Sequence, residues 1–150
     1  MNDQSDDPLK HALHFLPHGR EFRFLDRLIA LEPGRSGVGE YTVRGEELFL
    51  RGHFPNEPMM PGVLLIEAAA QLAGTVAQSD PDNAPMKGLK LAAIRGAKIL
   101  GTARPGETIR LEASVVARMG NLIQARVTAT TGRATVLQAE LTLSGEKRAD

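Results

Sequence analysis

No cysteine occurs in this 150-residue chain, which excludes a disulfide scaffold, a thiol nucleophile and a cysteine-ligated metal. The absence fits a reducing cytosol. Net charge is missing too: 18 Lys and Arg balance 18 Asp and Glu, so the overall charge gives no reason to expect nucleic acid or an anionic membrane as partner. No apolar run approaches the roughly 20 residues that span a bilayer. The first ten residues are acidic and polar, with no basic stretch leading into an apolar one, so no signal peptide is visible. Internal repeats, low-complexity segments and a convincing cluster of metal ligands are also lacking. What remains, 42% apolar and 24% charged, is an ordinary composition for one globular domain over residues 1–150 with a real core, expected in the cytoplasm.

Periodicity divides the chain into two kinds of element. About nine residues at the start are polar and expected to be disordered, and Lys10 to Leu16 makes a short helical turn that Pro17 stops. Leu25 to Leu31 and Gly37 to Val43 read as a strand pair around Glu32-Pro33-Gly34, and Glu46 to Leu50 as a short connector. From Pro61 to Gln78 the chain is dense in Leu, Ile, Val and Ala without an internal proline, so it predicts a helix that begins at Pro61 and is buried on nearly every side. Ser79-Asp80-Pro81-Asp82-Asn83 ends it.

The remainder alternates. Leu89 to Ile99 is a further strand. Ile109, Leu111, Ala113 and Val115, then Ile123, Ala125, Val127 and Ala129, then Leu137, Ala139, Leu141 and Leu143 interleave with polar residues and are separated by glycine turns. That period of two predicts a three-stranded antiparallel meander with one wet face. A single helix so apolar needs a curved antiparallel sheet wrapped around it, an α+β architecture.

One segment carries chemistry. In Arg51-Gly-His-Phe-Pro-Asn-Glu-Pro-Met-Met-Pro-Gly62, prolines 55, 58 and 61 fix backbone φ at three places in seven residues and stiffen the loop that holds His53. A histidine has an unperturbed pKa near the operating pH, about 6.5, which suits a general base. Glu67 is a carboxylate flanked by Ile66 and Ala68 in the apolar helix, and Gln71 lies one turn later on the same face, within reach of it. Gly62 and Val63 open the helix, where the first N–H groups lack intrahelical partners and the dipole favours negative charge, so a substrate carbonyl placed there would find an oxyanion hole. The bland alternatives are a solvated histidine, a glutamate on whichever stripe reaches water, and a Pro-Gly pair that merely starts a helix.

From Gly52 to Gln71 the chain closely resembles the signature of the 3-hydroxyacyl-acyl-carrier-protein dehydratases, His-Phe-Pro-x-x-Pro-x-Met-Pro-Gly-Val-Leu-x-x-Glu-Ala-x-x-Gln. Leu16-Pro17-His18, Asp26-Arg27-Leu28 and Arg104-Pro105-Gly106-Glu107 are similar to flanking motifs of that family. The resemblance implies the hot-dog fold, with His53 and Glu67 as the catalytic pair, the Gly62 amide on the substrate carbonyl and the Met59 carbonyl orienting the histidine. It implies reversible loss of water from a (3R)-hydroxyacyl thioester to give the trans-2-enoyl product, with no metal or redox cofactor. It also implies acyl carrier protein as partner, a tunnel along the helix for the acyl chain, and a homodimer whose sites are shared between subunits, the family's higher-order form being a trimer of dimers. Glutamate at position 67, where the isomerising branch typically has aspartate, favours the plain dehydratase. Gly19 to Phe24 and Gly101 to Ala103 depart from the usual sequence and leave the chain-length range open. A hot-dog thioesterase and a non-catalytic acyl-binding subunit are the alternatives.

Charge is unevenly spread. Asn83 to Gly106 contains no acidic residue yet holds Lys87, Lys90, Arg95, Lys98 and Arg104. Lys90, Arg95 and Lys98 are candidates for a basic rim that receives an acidic carrier protein, against the bland alternative of lysines that protect a strand edge.

Overall fold

The computed structural model describes residues 7–52, 56–132 and 134–146. Its elements are, in chain order, α1 (Pro8–Leu13), a 3-10 turn (Arg20–Phe22), β1 (Arg27–Glu32), β2 (Ser36–Thr42), α2 (Leu48–Gly52), α3 (Gly62–Gln78), β3 (Lys87–Ile99), β4 (Thr108–Met119), β5 (Leu122–Thr130) and β6 (Thr135–Glu146). The strands form one six-stranded sheet in the order β1-β2-β4-β5-β6-β3, with every pairing antiparallel. Register shifts in the β1–β2, β3–β6, β4–β5 and β5–β6 pairs bend the sheet, because an extra residue on one strand increases local twist. The concave face holds α3. This is the hot-dog arrangement.

Inward residues follow the predicted alternation. Ile109, Leu111 and Ala113 of β4, Ile123, Ala125, Val127 and Ala129 of β5, and Leu137, Ala139, Leu141 and Leu143 of β6 are all buried. Opposite them lie Leu65, Ala68, Ala69, Leu72, Ala73 and Val76 of α3. The many alanines on both surfaces let helix and sheet approach closely. Gly37 of β2 marks the tightest approach of this kind, since a Cβ there would sit 2.7 Å from Cγ2 of Val76.

Three expectations need correction. The helix does not contain Pro61, which is its N-cap at φ −54° and ψ 138°, so Gly62 is the first helical residue. The chain is also ordered earlier than expected: Asp7 accepts the Leu9 N–H at 3.0 Å, and Pro8 and Leu9, assigned to a disordered start, belong to α1. Proline suits that first position because its N–H would lack a partner there anyway. Finally, α3 is not enclosed all round. Val63 is 68% exposed, because its face of the helix start lies outside the wrap of the sheet.

Candidate functional site

Glu67 projects from the second turn of α3 into a groove of about 340 Å³. The groove runs along the helix stripe Glu67, Ala70, Gln71, Gly74, Thr75 and Gln78, positions three or four apart that share one face. At 1.5 Å per residue, Glu67 to Gln78 spans roughly 16 Å. Phe15 to His18 form one wall, and Met86 with Gly88 to Leu91 form the other. Glu67 is the only carboxylate among these lining residues.

The carboxylate is held by one oxygen. Oε1 of Glu67 lies 3.2 Å from Nε2 of His18 and accepts a hydrogen bond from Nε2 of Gln71 at 3.3 Å. Oε2 has no protein partner among the described residues. Gln71 is itself fixed, because its Oε1 accepts the Phe24 N–H at 2.8 Å and its Nε2 also donates to the Phe22 carbonyl at 2.9 Å. Buried at 2% exposure, it has no freedom to turn without losing these bonds.

Aromatic packing supports the loop above. Phe22 stacks on His18 with ring centroids 6.2 Å apart and meets Phe24 edge-on at 4.9 Å. Phe24 in turn meets Tyr41 of β2 and Phe49 of α2. A polar cluster braces the approach to α2. Glu47 accepts the N–H groups of Arg44 and Gly45 and the Tyr41 hydroxyl, while Arg44 pairs with Asp26 at 2.6 Å. Burial pushes the Glu47 carboxyl up, yet the backbone N–H groups of Arg44, Gly45 and Glu47 and the Tyr41 hydroxyl outweigh it and hold the carboxyl below its ordinary value. Burial, with Glu47 beside it, pushes the Tyr41 phenol up. These groups anchor α2, the element that leads into the segment carrying His53.

The residues singled out from the sequence divide. Glu67 and Gln71 meet as the i, i+4 spacing required. His53 lies outside the described residues, and so its distance from Glu67 is not given by this chain. Gly62 and Val63 occupy the first positions of α3, where helix geometry leaves their N–H groups without intrahelical acceptors, and both Leu64 and Leu65 donate to the Pro61 carbonyl. Gly62 has a packing role as well, since a Cβ there would come within 2.8 Å of the Ile99 side chain on β3. Met59 is half-buried, and the next residue, Met60, donates its N–H to the Ala103 carbonyl at 2.8 Å, tying the loop to the connection between β3 and β4. Lys90 borders the groove, whereas Arg95 and Lys98 lie farther along β3, exposed. None of these three cations makes an ion pair among the described residues.

His18 is the residue to which sequence reasoning gave no role. Its signal was the Leu16-Pro17-His18 motif, and nothing in the spacing placed it against Glu67. The groove floor at Gly74, Thr75 and Gln78 was legible in principle, as the continuation of the Glu67–Gln71 stripe. Among the described residues no group of three His, Asp or Glu could hold a metal ion, and no helix is long and apolar enough to cross a membrane.

Comparison with known proteins places this geometry. A family model described as a FabA-like domain matches residues 16–140. The 3-hydroxyacyl-acyl-carrier-protein dehydratase FabZ of Chloroflexus aggregans is 37% identical over 133 residues, covering 89% of this chain and 92% of that one. The FabZ of Bacillus pumilus is 36% identical over 129 residues, covering 86% and 89%. Among solved structures, the dehydratase heterocomplex ApeI:P from Xenorhabdus doucetiae superposes with a TM-score of 0.77 at 14% identity over 91% of each chain. A hypothetical thioesterase from Streptococcus pneumoniae, solved with coenzyme A, superposes at 0.61 and 12% identity over 82% of this chain and 87% of that one. At these identities the two structures share the fold alone.

Proposed function

Because the chain belongs to the FabA-like domain family, we propose that it is a 3-hydroxyacyl-acyl-carrier-protein dehydratase, a hydro-lyase of acyl-chain biosynthesis. The observation that carries the reading is Glu67, the one carboxylate among the described residues that line an acyl-sized groove, anchored through a single oxygen. In the proposed reaction His53 takes the proton from C2, and the electrons of that C–H bond move into the thioester as an enolate. The amides of Gly62 and Val63 stabilise the charge on the carbonyl oxygen. The C3–O bond then breaks, and Glu67 delivers a proton to the departing hydroxyl so that water leaves and the trans-2-enoyl thioester remains. Gln71 holds Glu67 in place, and the Met59 carbonyl orients His53. The acyl chain lies along the stripe toward Gln78.

Two features of the surface support the proposed partners. Among the described residues one long edge of β3 carries no neighbouring strand, and Ile94, Ile99, Leu100 and the adjacent helix-start residue Val63 are exposed apolar groups near it. A second copy of the chain pairing along β3 would cover them, giving a homodimer in which His53 of one subunit serves Glu67 of the other. Lys90 at the groove, with Arg95 and Lys98 on the same strand, supplies positive charge for an acidic carrier protein. Charge reversal at these three positions should raise KM for carrier-bound substrate and spare a short thioester analogue. Equal effects on both substrates would discard that surface.

The enzymatic reading is tested by following crotonyl-thioester absorbance beside free thiol. Loss of enoyl absorbance without thiol release is the expected result. Thiol release identifies a thioesterase, and silence in both assays a binding subunit.

A further inference from the structure

The geometry points to His18 as a positioning residue for the dehydration, one that fixes the Glu67 carboxyl by its Oε1 and leaves Oε2 for the substrate hydroxyl. This deepens the dehydratase reading and rests on it. Four contacts close into a ring. His18 Nε2 meets Glu67 Oε1 at 3.2 Å, Gln71 Nε2 meets the same oxygen at 3.3 Å, and Gln71 Nε2 also reaches the Phe22 carbonyl at 2.9 Å. The Phe22 ring then stacks back on the His18 imidazole. Removal of any member leaves Glu67 with one fewer restraint on its terminal torsion, which is broad and roughly two-fold when unrestrained.

The tautomer follows from the other ring nitrogen. Nδ1 of His18 is buried and has no hydrogen-bond partner among the described residues. A proton there would be a buried donor without an acceptor, which costs about 1–3 kcal/mol, so the ring keeps its proton on Nε2, the nitrogen that lies 3.2 Å from Glu67 Oε1. Glu67 therefore has two nitrogens against one oxygen, Gln71 Nε2 as hydrogen-bond donor and His18 Nε2 at ion-pair distance. Its second oxygen is the one free to exchange a proton with the C3 hydroxyl. The arrangement matters for rate because a displacement of about 1 Å in a reacting group can cost about a hundredfold.

The test compares His18→Ala, His18→Gln and His18→Asn, each in the native and the Glu67→Gln background, with crotonyl-thioester hydration as readout. A Gln amide nitrogen reaches the position of Nε2, whereas Asn reaches only that of Nδ1. His18→Ala and His18→Asn should lower kcat on the order of tenfold to a hundredfold with KM little changed. His18→Gln should recover most of the loss. In the Glu67→Gln background, measured at high enzyme concentration, none of the three should cost more than about twofold further, because residues acting as a unit are not additive. Thermal midpoints are recorded throughout, and the Gln/Asn contrast stands even if the alanine variant folds poorly. Equal activity of Gln and Asn variants, a change confined to KM, or an undiminished effect in the Glu67→Gln background overturns the role of His18 alone. A native protein inactive in hydration overturns the dehydratase reading, and this inference with it.

Discussion

Gln71 accepts the Phe24 amide hydrogen at 2.8 Å across 47 residues of sequence, so the side chain that holds the Glu67 carboxyl also fastens the loop over the groove. Gln71→Leu would leave the Phe24 N–H and the Phe22 carbonyl buried without partners. Stability in urea unfolding should fall by about 2 kcal/mol or more, with little change in m-value, and hydration activity should fall with it. A neutral Gln71→Leu would mean that water replaces the lost bonds.

Glu67→Gln keeps the shape of the side chain and removes its capacity to transfer a proton. Turnover should drop on the order of a hundredfold to ten-thousandfold while the thermal midpoint stays near that of the native protein. Mixing Glu67→Gln with His53→Ala should restore part of the activity once subunits exchange. No recovery after proven exchange would place both groups within one chain.

Gly74 sets the width of the groove. A Cβ at this position would meet Leu89 and Leu143 at ordinary contact distances of 3.7 and 4.0 Å, so Gly74→Ala should stabilise the helix by up to about 1 kcal/mol. Gly74→Leu should instead block the stripe beyond Gln71. Its kcat/KM should fall steeply for long acyl thioesters and little for a four-carbon one, as read from a substrate-length series.

Acid should loosen the far end of α3. Asp80 accepts the Asp82 N–H and the Asn83 amide and pairs with Arg118 at 3.2 Å, while Arg118 also donates to the Ala77 carbonyl. The Asp82 N–H first, then Asn83 and Arg118, outweigh burial and hold the Asp80 carboxyl below its ordinary value. A depressed folded value contributes stability above the unfolded pKa, about 3.9, and that contribution is lost as pH falls through the folded value. Asp80→Asn should therefore lower the thermal midpoint at neutral pH, and its curve should converge with that of the native protein below about pH 4. Parallel curves down to strong acid would refute the linkage.

Ile94 is half exposed on β3, the last strand in the sheet order. Ile94→Glu should convert a dimer to monomer in analytical ultracentrifugation and take the activity with it. Retained dimers would move the interface elsewhere.

The three strands β4, β5 and β6 were readable residue by residue, because a two-residue period leaves one choice of face once glycine turns fix the ends. The helix was readable from its apolar density, though its start was displaced by one position since Pro61 caps rather than opens it. Asp7-Pro8 was a capping signal hidden inside a polar stretch. The five-residue α2 is too short to show a period, and Phe49 secures it through a ring contact with Phe24, which is distant in sequence. Glu67 and Gln71 were legible because one helix holds both. His18 reaches them only after the chain has crossed two strands and returned, and no local pattern encodes that closure.

The packing of Gly62 against Ile99 places the amides proposed for the oxyanion directly against the strand that a second copy would cover. Assembly and chemistry thus share a hinge point. Specific activity should fall on dilution into the range where subunits separate, ahead of any loss of secondary structure, so that protein abundance itself would act as a control on flux.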